Sequence, residues 1–214
     1  MHPHAHAPLC PALTRTPNRS WQLSRSQLRS LIEMSGKFNT EEIEFQDKIA
    51  YRTGLGDCTA VPPATQTADE RQCGIEAARL EYATTCFQPI QDVLNKAGIK
   101  PSKVKFVITN SSLFNPTPSL SAAIINHFKL PATTINYSLG GMGCSAGVIA
   151  LDLARELLCN HPNSVALVVS HENITRSYYT GAHGCAARAL ARCCLLLRAG
   201  CSGPRWPRRE ALRV

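Results

Sequence analysis

Between Thr133 and Leu158 a strand, a glycine turn and a helix follow one another without a break, and this run constrains the fold most. Thr133, Thr134 and Ile135 lead into Asn136-Tyr-Ser-Leu-Gly-Gly-Met-Gly-Cys-Ser-Ala-Gly147. Three glycines surround Met142, and Cys144 follows at once. Val148, Ile149, Leu151, Leu153, Leu157 and Leu158 then read as a helix. Cys144 is thereby expected at the carboxyl end of a strand and at or near a helix start. The first N–H groups of a helix lack intrahelical partners and carry partial positive charge. They favour a thiolate, the nucleophilic form of cysteine. Glycines permit positive φ and let a substrate approach the backbone. Cys144 is therefore a candidate nucleophile. Two other readings stand beside it. Free cysteine is commonly a small buried hydrophobe. Gly143-Cys-Ser-Ala-Gly147 also matches the G-x-S-x-G elbow of serine hydrolases, with Ser145 as nucleophile. That fold needs an acid and a histidine later in the chain, and the short downstream sequence is poorly suited to supply them.

The rest of the chain frames this stretch. Residues 1–22 carry His2, His4, His6 and several prolines with little apolar periodicity, which reads as a disordered leader. Its alternating histidines could hold a metal only weakly. Leu28, Leu31, Ile32 and Met34 form a helical stripe broken by Gly36. Asn39 or Thr40 caps a second helix with Ile43, Phe45, Ile49 and Ala50. Glycines and prolines over 53–64 argue against regular structure. Residues 70–98 form the longest helical pattern, through Ile75, Ala78, Tyr82, Cys86, Ile90, Val93 and Ala97, with a kink or restart expected at Pro89. A strand at 104–109, a helix capped by Ser119, a strand at 133–138, the Cys144 helix and a strand at 165–169 follow. This alternation predicts an α/β layer fold, with a mostly parallel sheet and helices on both faces. Ligands in such sheets sit at the carboxyl ends of strands.

Composition narrows the function. The 214 residues carry a formal net charge of +8, concentrated in arginines near the two ends. No basic helix face, aromatic interleaving or zinc-finger spacing accompanies it, so nucleic acid is not an expected partner. Ten cysteines are scattered mostly singly, and no apolar signal segment precedes them. Free thiols are expected, not a disulfide framework. No apolar run is long enough for a membrane span. No metal-ligand spacing and no dinucleotide fingerprint occurs: Thr53-Gly-Leu-Gly-Asp57 lacks both the third glycine and a preceding strand.

Several stretches together carry a family resemblance. They are Glu44-Phe-Gln46, Arg52-Thr-Gly-Leu-Gly-Asp57 with Pro62-Pro63, and Asn110-Ser-Ser-Leu-Phe-Asn-Pro-Thr-Pro-Ser-Leu-Ser121. Asn126-His127, the whole of Asn136 to Gly147, His161-Pro-Asn-Ser164, Val168-Val-Ser170 and Glu172-Asn-Ile-Thr175 complete the set. On these residues the chain resembles the plant-type 3-ketoacyl-CoA synthases, condensing enzymes of very-long-chain fatty acid elongation in the thiolase superfamily. The resemblance runs from about Leu23 to about His183. It implies the first half of a thiolase-like fold over residues 23–183 and selects Cys144 over Ser145 as nucleophile. It further implies acyl-CoA and malonyl-CoA as substrates with no other cofactor. A homodimer, elongase-complex enzymes as possible neighbours, and a setting at the endoplasmic reticulum membrane are implied too. The chemistry implied is an acyl-enzyme on Cys144, attacked by the carbanion left when malonyl-CoA loses CO₂.

The chain also departs from that family. The histidine and asparagine that serve decarboxylation belong to the second half of the family's fold and have no counterpart here. His127, His161, His171 and His183 are not promoted to that role. His171 stands where the family usually has threonine. The family's two membrane helices have no counterpart either. Residues 184–214 change character abruptly, with seven arginines, four cysteines, no lysine and one acidic residue, and read as an aberrant basic tail. An incomplete fragment that at most binds acyl chains or a partner is the competing expectation.

Overall fold

The computed structural model describes residues 19–54, 56–67 and 69–178. The tail expected over 184–214 and most of the leader expected over 1–22 lie outside the described residues. The chain divides into two compact units, whose described parts are residues 19–61 and 62–178. The division falls inside the stretch 23–183 that reads as one domain in the sequence.

The first unit is a helical hairpin with a short ribbon. A 3-10 turn at Arg19–Trp21 precedes strand β1 (Gln22–Leu23), which pairs antiparallel with β2 (Thr59–Ala60). Both segments correct the sequence reading, which left 19–22 in the leader and gave 53–64 no regular structure. The reason is local burial: Trp21 is buried, and its carbonyl accepts the Val61 N–H at 2.8 Å. Helix α1 (Arg25–Met34) opens with a capping box, Ser24 accepting the Gln27 N–H and the Gln27 side chain accepting the Ser24 N–H. Helix α2 (Thr40–Arg52) opens the same way through Asn39 and Glu42. Gly36, at φ +64°, makes the turn between them. Arg29 links the helices by pairing with Glu33 and Asp47, each at 2.9 Å.

The second unit holds the sheet. Helix α3 (Ile75–Ala97) runs on through Pro89 as one helix, without the restart that was one of the two expectations there. Packing decides this: Ala78, Tyr82, Cys86, Ile90 and Leu94 form one buried row spaced by four, holding both sides of the proline in register. Gly98 ends the helix at φ +67°. Strands β3 (Val104–Asn110), β4 (Ile135–Leu139) and β5 (Val165–Ser170) form a parallel sheet in the order β4-β3-β5. Helix α4 (Leu120–Phe128) connects β3 to β4, and helix α5 (Ala146–Asn160) connects β4 to β5.

The central strand alternates its faces. Val107 packs with α3 and α4, whereas Ile108 packs with α5. The expected α/β layering, with helices on both faces of a parallel sheet, is therefore borne out. α5 presents Ala146, Ala150 and Ala154 to the sheet, all buried, so the helix backbone lies close against it. Ser119 caps α4 as expected, its Oγ accepting the Ala122 N–H at 3.2 Å. Ser119→Ala is expected to lower stability by about 1 kcal/mol, read from the urea midpoint. An unchanged midpoint would remove the cap from this account.

Candidate active site

The chain direction changes at one point of the sheet. From β3 the chain leaves through α4 on one face, and from β4 through α5 on the other. The connections after β3 and β4 thus diverge at the carboxyl ends of adjacent strands, the switch point where open α/β sheets take ligands. The loop from Ser111 and the turn from Gly140 border it. They are joined at their base, where the Ser111 N–H donates to the Leu139 carbonyl at 3.2 Å.

Cys144 sits on this turn. Gly141 and Gly143 have φ of +73° and +64°, which only glycine adopts without strain. They bring the chain round into a 3-10 turn, Gly143–Ser145, immediately ahead of α5. The Ala146 N–H donates to the carbonyls of Cys144 and Gly143, which fixes the first turn. The Cys144 side chain is exposed. Ser145, the rival nucleophile, donates its hydroxyl to the Met142 carbonyl at 2.7 Å. It makes no hydrogen bond to a histidine among the described residues.

Cys86, Cys144 and Cys159 are free thiols. Cys73 and Cys86 are buried, and burial pushes the Cys86 thiol up to about 12. Cys86 is a packing residue on α3, the role expected of an ordinary core cysteine. No described group of His, Cys, Asp or Glu side chains could hold a metal ion.

The histidines go elsewhere. His127 stacks on Phe87 with ring centroids 3.9 Å apart. His161 follows α5, at the opposite end of that helix from Cys144, with Nδ1 3.0 Å from the Leu157 carbonyl oxygen and its ring against Phe106. His171 lies under the sheet end, with Nε2 2.8 Å from Thr85 Oγ1. Burial lowers its pKa to about 4. His183 lies outside the described residues. No described histidine therefore hydrogen-bonds to Cys144.

Three residues without a role in the sequence reading organise the ground beneath the turn. Glu172 reaches from the end of β5 to the loop after β3. Its carboxylate accepts Ser111 Oγ–H at 3.0 Å, the Ser112 N–H at 3.0 Å and the Leu113 N–H at 2.8 Å. Asn115 donates from Nδ2 to the carbonyls of Ser111 and Ser112, and its amide lies against Gly140. Ser170 donates to Asn110 Oδ1 at 2.8 Å and joins the ends of β3 and β5. A charged residue three positions after the apolar run Val165–Val169 was the available signal for Glu172; Asn115 offered none.

A second polar cluster fastens the segment after β5 to α3. Glu81 accepts the N–H groups of Ile174 and Thr175 at 3.3 and 3.1 Å. The Asn173 side chain donates to the Ala78 carbonyl at 2.6 Å. Burial raises the Glu81 pKa above its ordinary value, opposed by these hydrogen bonds.

Comparison with known proteins agrees with this geometry. The family described as FAE1/Type III polyketide synthase-like protein matches residues 14–203, further at both ends than the stretch on which the resemblance was read. 3-Ketoacyl-CoA synthase 11 of Arabidopsis thaliana is 40% identical over 199 residues, covering 91% of this chain and 38% of that protein. 3-Ketoacyl-CoA synthase 2 of the same plant is 46% identical over 165 residues, covering 77% of this chain and 31% of that protein. The chain thus spans about a third of the length of these curated relatives. Among solved structures, the bacterial type III polyketide synthase 1,3,6,8-tetrahydroxynaphthalene synthase of Streptomyces coelicolor A3(2) superposes with a TM-score of 0.69 at 22% identity. The match covers 86% of this chain and 53% of that one. Germicidin synthase of Streptomyces coelicolor gives 0.57 at 19% identity, covering 90% and 56%. The shared feature is the fold, a partial thiolase-like α/β layer.

Proposed function

Because the chain belongs to the FAE1/type III polyketide synthase-like family, we propose that it carries the acyl-accepting half of a fatty-acid-elongating condensing enzyme, with Cys144 as nucleophile. The observation that carries this reading is the exposed Cys144 thiol on a positive-φ glycine turn, at the switch point of the sheet and directly ahead of α5. The Cys144 thiolate attacks the thioester carbonyl of a long-chain acyl-CoA, and a new C–S bond forms. The tetrahedral oxyanion collapses, the old C–S bond breaks and CoA leaves as its thiolate. In the condensation that follows, malonyl-CoA loses CO₂, and its carbanion attacks the acyl carbonyl. A 3-ketoacyl-CoA two carbons longer is released and the Cys144 thiolate returns.

A second reading has its own observation. No described histidine stands beside Cys144, so no described group is placed to assist the loss of CO₂. On that reading the chain takes up an acyl group and stops there unless a partner supplies the rest. β4 has β3 on one side and no described strand on the other. Ile135 on that strand is exposed, as are Val148, Ile149 and Leu151 on α5. These features support the homodimer implied by the family, since open apolar edges call for cover. An endoplasmic reticulum membrane setting rests on the family alone; no described helix is long and apolar enough to cross a membrane.

The test is intact-mass spectrometry of the purified chain with stearoyl-CoA, followed by malonyl-CoA. The expected result is one acyl adduct on the wild type, none on Cys144→Ala, and an adduct retained on Ser145→Ala. An adduct that survives Cys144→Ala overturns the assignment. Release of 3-ketoacyl product by the chain alone would eliminate the incomplete reading.

A further inference from the structure

We propose that Asn115 is a positioning residue for Cys144, the last link of a relay that starts at the Glu172 carboxylate. The role for Cys144 on which this rests is the one proposed above. The relay begins with one carboxylate binding three successive residues of the loop after β3, through Ser111 Oγ and the N–H groups of Ser112 and Leu113. Hydrogen bonds to a charged acceptor are stronger than neutral ones, and three on one carboxylate fix a short loop as a body. The carbonyls of that loop then hold Asn115: its Nδ2 donates to Ser111 O at 3.1 Å and to Ser112 O at 3.4 Å.

The next link is steric. A Cβ built on Gly140 would lie 2.7 Å from Asn115 Oδ1 and 2.9 Å from its Cγ. The Asn115 amide therefore occupies the space that a side chain at Gly140 would take. Gly140 has an ordinary φ, so backbone conformation does not explain the glycine; close approach does. Asn115 is itself exposed, and its amide supplies the three nearest atoms to a Cβ built on Gly140. From Gly140 the chain continues through the positive-φ residues Gly141 and Gly143 to Cys144. A shift at Gly140 is passed to the thiol, since the far side of the turn is anchored to α5.

A purely structural reading would have Asn115 complete the hydrogen bonds of its own loop. It predicts a loss of stability without any special tie to residue 140. The positioning reading predicts a coupling of unusual sign. Gly140→Ala forces the amide and the turn apart, and removing the amide relieves that strain. Asn115→Ala is expected to slow acyl transfer from stearoyl-CoA to Cys144 moderately. Gly140→Ala is expected to slow it about 100-fold, the scale of an ångström's misplacement of a reacting group. Adding Asn115→Ala to Gly140→Ala should restore about tenfold of that loss, the double variant outperforming the single one. Hydrogen exchange of the 141–146 amides is measured on the same proteins. It should speed up in Gly140→Ala and slow again in the double variant. A variant that merely unfolds loses protection throughout β3 and α5, which separates misfolding from displacement. If the wild type takes up no acyl group, the proposed function falls, and the exchange pattern at 141–146 still decides the relay. A double variant no better than Gly140→Ala in both rate and exchange overturns it.

Discussion

Acidification from pH 6.5 to about 4 is expected to remove about 3 kcal/mol of stability through His171 alone, and His171→Gln should abolish that loss. The direction follows from the proton count. Burial holds the folded-state pKa at about 4, against 6.5 when the chain is unfolded. Within this window the unfolded chain binds a proton that the fold refuses, so stability falls as pH falls. The hydrogen bonds explain the refusal. Thr85 donates its one hydroxyl proton to the Glu81 carbonyl at 2.7 Å, so its oxygen accepts from His171 at Nε2. The ring is then the Nε2–H tautomer, and a second proton would go to Nδ1, a buried atom with no hydrogen-bond partner among the described residues. The ring stands perpendicular to that of Tyr82, which is neutral, and Glu172 opposes the shift only in part. Glu81 acts in the opposite sense. Its raised pKa makes the fold bind a proton more readily than the unfolded chain, so its contribution grows as pH falls towards 4.5. The difference between wild type and His171→Gln isolates the histidine. Urea unfolding followed by circular dichroism should show that difference growing by about 3 kcal/mol between pH 7 and pH 4. A constant difference would contradict the account.

Glu81→Leu is expected to cost about 4 kcal/mol. The carboxylate is buried and accepts two backbone N–H groups, from Ile174 and Thr175. Leucine fills the space but leaves both donors without an acceptor, and each orphaned buried group costs about 1–3 kcal/mol. Glu81→Gln keeps one acceptor oxygen and turns an amide N–H₂ towards the second donor, so about half the loss is expected. The urea midpoint at pH 7 reads both variants. Hydrogen exchange should locate the damage at 173–175, the segment that follows Glu172. If Glu81→Leu unfolds at the wild-type midpoint, the carboxylate is not what fastens that segment to α3.

These two sites also mark where the sequence stopped being informative. The strand, turn and helix around Cys144 were legible because their signals are local: β-branched residues, glycines and a 3.6-residue period. The α3 row was legible at Ala78, Tyr82, Cys86 and Ile90, though its buried end is Leu94 and not Ala97. Glu81 was not. A glutamate one position from an apolar row reads as a solvated charge, and its partners lie more than 90 residues later in the chain. Asn115 escaped for a related reason: two of its partners are main-chain carbonyls, which leave no mark in residue type, and Gly140 is a glycine without naming what approaches it. His171 was passed over as a departure from the family. Its chemistry depends on the depth at which Thr85 and Tyr82 hold it. The glycine turn that carries Cys144 was written locally, while the hydrogen bonds of Glu81, Asn115 and His171 were written across the chain.

The alanine row of α5 sets a tolerance as well as a packing. At Ala146, Ala150 and Ala154 the spacer between helix and sheet is one methyl group thick. Cys144 stands at the end of that helix, two residues ahead of the first spacer. Its height above the strand ends is thus gauged by the thinnest side chains available. The height of the Cys144 thiol is machined into the floor of the helix, along the buried face of α5.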